Sequence, residues 1–138
     1  MIPMEYRTAS RDFERFLLDA RDIAMQQTRN QTYTTVQGVF QTFRRRLAVR
    51  DAILFANVLP PVLRAIFVAD WDLEEPRQPF GDPIAMTKEV KSLRGDHNLS
   101  PDTAIRDVAT ALRRNVDEAV LDRVLQRLPP GAAEFWRI

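Results

Sequence analysis

Apolar residues recur along this chain with the period of an α-helix. From Ser10 to about Gln27, Phe13, Phe16, Leu17, Ala20, Ile23 and Ala24 fall on one helical face. Ser10 is placed to cap that helix, and Asp12 and Glu14 suit its first turn. The polar stretch Thr28–Thr34 breaks the period, and Val36, Val39, Phe40, Phe43 and Leu47 resume it. This second helix closes on Arg44-Arg45-Arg46, where cations favour the negative end of the helix dipole. A third helix, about Val49 to Val58, runs into Leu59-Pro60-Pro61. Proline is excluded from a helix interior but fits the first turn of a new one. The motif therefore predicts a sharp corner into a fourth helix, Val62 to Asp70, with Trp71 closing this half.

The corner recurs. Leu128-Pro129-Pro130, followed by Phe135-Trp136, stands 69 residues after Leu59-Pro60-Pro61. At the same offset Ile105, Val108, Ala109 and Leu112 match Val36, Val39, Phe40 and Phe43. Asp82-Pro83 and Ser100-Pro101-Asp102 are helix-start signals, Val120 to Leu128 predicts a seventh helix, and Pro129-Pro130 an eighth. No segment alternates like a strand. The expected fold is all-α: two tandem, pseudo-repeated four-helix units, about eight helices, packed as one compact domain. The first repeat is 1–71 and the second 83–138. Between them lies an acidic, proline-containing linker, 72–82 (DLEEPRQPFGD). From Leu47 to Ala69 the only polar side chains are Arg50, Asp51, Asn57 and Arg64. A helix pair this apolar must be buried on more than one side, between the repeats or against another subunit.

Composition narrows the function classes. At 138 residues the chain makes one domain that buries roughly two-thirds of its unfolded surface. Having no cysteine, it has no disulfide, thiolate metal site or cysteine nucleophile. The start, MIPMEYRTASRD, lacks the basic head and apolar core of a signal peptide, and no apolar run approaches the ~18 residues of a membrane span. A cytoplasmic location, away from membranes, is the expectation. Net charge is +1, divided as +4 over 1–69 and −3 over 70–138, which orients the molecule in a field but is too small to imply nucleic acid.

The aromatic pair Phe13 and Phe16, the turn Gln27-Thr28-Arg29-Asn30, and the helix end Arg46-Leu47 with Ala52 after it, then Leu59-Pro60, Arg64 and Trp71, form a set. Together they resemble the bacterial family known as domain of unknown function 2267. The resemblance runs over about residues 13–136 and is densest over 27–71. Ile66-Phe67 depart from it, standing where tyrosines are expected, and the linker is more acidic than usual. It implies a small all-helical fold with a duplicated unit, and it implies no catalytic residue.

Candidate chemistry is sparse. His97, the only histidine, has Asp96 and Asp102 as its nearest helpers, too few for a metal site. Asp19, Asp22 and the pair Glu74-Glu75 read as solvated carboxylates with charge partners on their own helix or turn. No hydrolytic triad and no glycine-rich phosphate loop is present. No cofactor is expected, and the chain reads as a non-enzyme. The preferred function is a protein-interaction or oligomerising module, with an unidentified protein partner or a second copy in a homodimer. Its contact surface centres on Ile53, Leu54, Val58, Leu63 and Phe67 where the core does not consume them. The alternative is arginine-mediated binding of nucleic acid or another polyanion by Arg44, Arg45, Arg46, Arg50, Arg113 and Arg114. Against it, consecutive residues on a helix point about 100° apart, and no aromatic lies on a polar face to stack a base.

Overall fold

A computed structural model describing residues 1–138 consists of helices and connecting turns, with no strand. In chain order the helices are α1 (Met4–Arg7), α2 (Ala9–Ile23), α3 (Arg29–Arg44), α4 (Val49–Ala56) and α5 (Pro61–Val68). After the linker come α6 (Pro83–Ser92), a 3-10 turn (Gly95–His97), α7 (Ala104–Asn115), α8 (Glu118–Gln126) and α9 (Ala132–Phe135). None is long and apolar enough to cross a membrane.

The second long helix, α3, is the central strut. Ten of its sixteen residues are buried, among them Val36, Val39, Phe40 and Phe43, so it is enclosed on more than one side. It packs against α2, α5, α6 and α7. Gly38 permits a close approach to α6: a Cβ there would lie 2.7 Å from the Val90 carbonyl oxygen. A smooth helix surface at that point lets the two backbones meet.

Both halves contribute to one core. Helix α2 lies along α7, α3 along α6, and α4 against α8. Phe43, Phe55, Phe135 and Trp136 meet at its centre, with Phe43 and Phe55 centroids 4.7 Å apart and Phe55 stacked on Trp136 at 5.4 Å. The apolar stretch 47–69 thus finds its second buried side within the chain. Each large apolar side chain so enclosed contributes about 1.5–3 kcal/mol.

Several sequence expectations are corrected. There are nine α-helices rather than eight, because Met4–Arg7 forms a short turn of its own. Ser10 does not cap α2; it lies exposed within the helix, and Thr8 stands at the N-cap. The polar stretch 28–34 does not break the chain. Thr28 and Gln31 form a reciprocal capping box, and α3 begins at Arg29. The threonines stay helical although buried because their hydroxyls bond back one turn: Thr32 to the Thr28 carbonyl, Thr34 to Asn30 and Thr35 to Gln31. Ser100 is likewise no cap; its hydroxyl lies 2.8 Å from that of Thr35 in the interior, and α7 starts later, at Ala104. The last helix begins after Gly131, not at Pro129-Pro130.

Asp82 and Pro83 do behave as expected, with the Asp82 carboxylate accepting from the Ile84 N–H at the start of α6. The linker is stitched to the body: the Gln78 N–H donates to the Arg45 carbonyl at 2.9 Å, and the Phe80 ring packs near Phe43 and Phe135.

Candidate functional site

Of the two residue sets singled out in the sequence, Arg44, Arg45, Arg46, Arg50, Ile53 and Leu54 lie at the end of α3 and along α4, Val58, Leu63 and Phe67 follow beyond α4 and on α5, and Arg113 and Arg114 are on α7. Helix α4 starts without a side-chain cap and ends at the Leu59-Pro60 corner. There Arg64, one turn into α5, reaches back: its Nε donates to the Ala56 carbonyl at 3.2 Å and its Nη2 to the Leu59 carbonyl at 3.0 Å. Orphan carbonyls at the helix end are thereby satisfied from across the corner. This ties the end of α4 to the start of α5.

Of the five residues expected on an interaction surface, Leu63 and Phe67 are corrected to core, at 1% and 0% exposure. They lie on the side of α5 that packs against α2 and α3. Leu54 and Val58 are half-buried against the core. Ile53 is exposed at 54%, and Val49, one turn before it, at 45%. The sequence reading missed Val49. Arg50 and Asn57 share this exposed side of α4. Val49 also lines a groove of about 310 Å³ together with Trp71, Leu73 and Pro76, so the apolar side of α4 continues into the linker.

Four of the six arginines are bonded inside the chain. Arg44 is buried, and its Nη1 bridges the carbonyls of Phe67 (2.9 Å) and Ala69 (3.0 Å) at the end of α5. Trp71 covers it, with the guanidinium carbon 5.3 Å from the ring centroid. Burial, and next the neighbouring Arg45, lower the pKa of this guanidinium. Arg46, also buried, makes a two-pronged pair with Glu89 on α6, at 3.0 and 2.6 Å, and donates to the Thr42 carbonyl. Arg45 bridges Glu75 of the linker and Glu89. Burial alone would raise the Glu89 carboxyl, but the hydrogen bonds and charges of Arg46 and Arg45 outweigh it and hold the group below its ordinary value. In the second half, the Arg113 Nε donates to the Trp136 carbonyl at 2.9 Å and its Nη1 to Asp122. Only Arg50 and Arg114 stand exposed and without an ion pair. They are on different helices, α4 and α7, and do not form a patch with the other four.

The remaining titratable candidates are dispersed. His97 is exposed in the 3-10 turn, and no three His, Asp or Glu side chains gather to hold a metal. Asp19 accepts from the Asn115 amide at 2.8 Å, tying α2 to α7, and Asp22 pairs with Arg21. Nothing in the local pattern marks out Asp107. It is 8% exposed, accepts from the Thr103 hydroxyl at 2.7 Å, and has no ion pair. Burial raises its pKa, against the opposing pull of Thr103 and Arg106. A polar residue at a helix-face position reads as surface in a sequence; only the packing of α7 shows it enclosed.

Residues 13–135 match the family described as Uncharacterized conserved protein (DUF2267), and the chain belongs to that family. No curated protein matches it.

Proposed function

We propose that this family member is a non-enzymatic interaction module of the bacterial cytoplasm that pairs with a second copy of itself through the outer side of α4. The observation that carries this reading is the exposure of Ile53 and Val49, one helical turn apart on a helix whose other side is core. Such a ridge is worth burying, at roughly 25 cal/mol per Å² of apolar surface.

A twofold contact presents the same patch from both sides, so the ridge of one copy covers the same ridge of the other. With the two α4 helices antiparallel, Val49 of one copy faces Ile53 of the other. Arg50, exposed at the edge of the ridge, stays in solvent, and Asp51 points to the far side of α4. An arginine grip on nucleic acid or another polyanion is the weaker reading, because Arg44, Arg45, Arg46 and Arg113 already have partners within the fold.

Sedimentation velocity over a concentration series tests the pairing. The wild type is expected to show a monomer–dimer equilibrium that Ile53→Asp shifts to monomer with helicity unchanged. A wild type that sediments as a monomer at every concentration overturns the reading, and so does an Ile53→Asp variant that pairs as tightly as the wild type.

A further inference from the structure

Between α6, the start of α7 and the second Leu-Pro corner lies a cleft of about 490 Å³, within the size range of small-molecule sites. Gly131 shapes it. This residue holds φ at +101°, and the Phe80 side chain occupies the space a Cβ would need, so the ring lies directly on the turn. Phe80, Met86, Ile105 and Phe135 give the cleft its apolar lining, with the two phenyl centroids 6.3 Å apart.

Two carboxylates and two guanidiniums line it, and Lys88 and Lys91 of the adjoining hollow tip the balance positive. Its two carboxylates, Asp102 and Glu134, are taken by Lys91 and Arg137 respectively. Arg106 lines the cleft, is exposed, and its guanidinium makes no hydrogen bond or ion pair within the chain. An adjoining hollow of about 500 Å³, sharing Pro83, Thr87 and Asp102 with the cleft, adds Lys88, also without an ion pair. An apolar lining beside unspent positive charge selects a ligand with an apolar body and an anionic head. Guanidinium binds carboxylate through two parallel hydrogen bonds.

We propose that this cleft binds a small monocarboxylate with an apolar body, its carboxylate on Arg106 and its hydrocarbon against Phe80, Met86, Ile105 and Phe135. The site is separate from the α4 face, and neither reading depends on the other.

Decanoate, with decanol as its neutral counterpart, is the probe, and NMR titration of the full chain is the readout. Decanoate is expected to shift the Ile105 methyl and Phe80 ring signals saturably, and decanol to bind about tenfold more weakly, equivalent to about 1.4 kcal/mol. Arg106→Gln should bring decanoate down to the level of decanol and leave decanol unchanged. Ile53→Asp should leave the titration unaltered. The proposal is overturned by the absence of a saturable shift or by decanoate binding indifferent to Arg106→Gln.

Discussion

Arg44 donates to the carbonyl of Phe67 at 2.9 Å, and the same bond recurs from Arg113 to Trp136, at the same length and the same separation of 23 residues. Each arginine leaves the C-terminal part of a long helix, α3 or α7, and holds the end of the short helix that follows a Leu-Pro-Pro corner. From Arg44 to Arg113 is the 69-residue step that also separates the corners. Cations that a sequence presents as a surface cluster are here structural ties.

Removing the first tie is expected to be costly. Arg44→Ala leaves two carbonyls without their donor and strips Trp71 of its stacking partner, a loss of about 2–3 kcal/mol in urea unfolding. Arg44→Lys should recover little of it, since a single ammonium cannot reproduce a flat group that bridges two carbonyls beneath an indole. Arg113→Ala should cost less, about 1–2 kcal/mol, because that side chain contacts one carbonyl and two exposed acids.

The Glu89 carboxyl titrates below its ordinary value of 4.5 in the folded chain. Between the folded and unfolded values the unfolded chain binds more protons, so stability rises with pH there. The contribution is complete above the unfolded value and is lost as pH falls through the folded one. Glu89→Gln should lower stability at neutral pH by about 1–2 kcal/mol, less than for a fully buried pair because Glu89 is 31% exposed. Unfolding free energies measured from neutral to acid pH should converge for the two proteins at the acid end.

Asp107 has the opposite sign. Its folded pKa is raised, so the folded chain holds the proton more tightly and the group costs stability as pH rises through that folded value. Asp107→Asn keeps an acceptor for the Thr103 hydroxyl and removes the buried charge. It is expected to raise the melting temperature at neutral pH and to leave it unchanged in acid, where the wild-type group is already neutral. A variant less stable at neutral pH would contradict this.

Gly38→Ala should cost about 1–3 kcal/mol, because the added methyl meets the Val90 carbonyl oxygen at 2.7 Å and Val90 Cγ1 at 3.1 Å. The methyl would improve helix propensity, so a destabilised variant isolates the α3–α6 contact from the intrinsic preference of the helix. Thermal unfolding is sufficient to measure it.

By itself the sequence determined the helical class, the corner at Leu59-Pro60-Pro61, the Asp82-Pro83 start of α6 and most of the core, Phe16, Val36, Phe40, Phe43 and Leu112 among it. These are local matters: a 3.6-residue period, a fixed proline φ and a capping carboxylate act within one or two turns. The tertiary structure decided the rest. Thr32, Thr34 and Thr35 look like a polar break until the surrounding helices bury them and their hydroxyls turn back on α3. Arg44 and Arg46 look solvated until α5 and α6 bring carbonyls and Glu89 to them. Leu63 and Ile53 are equally apolar as letters, and only the packing of α5 on α2 and α3, and of α4 by its other side on α8, makes one core and the other surface. The cleft beside Phe80 joins residues from 80 to 137 and has no sequence signature, because it arises from how α6, α7 and the last corner fail to fill the space between them. Whether a side chain is spent or free depends on partners brought from elsewhere in the chain, and no local pattern records them.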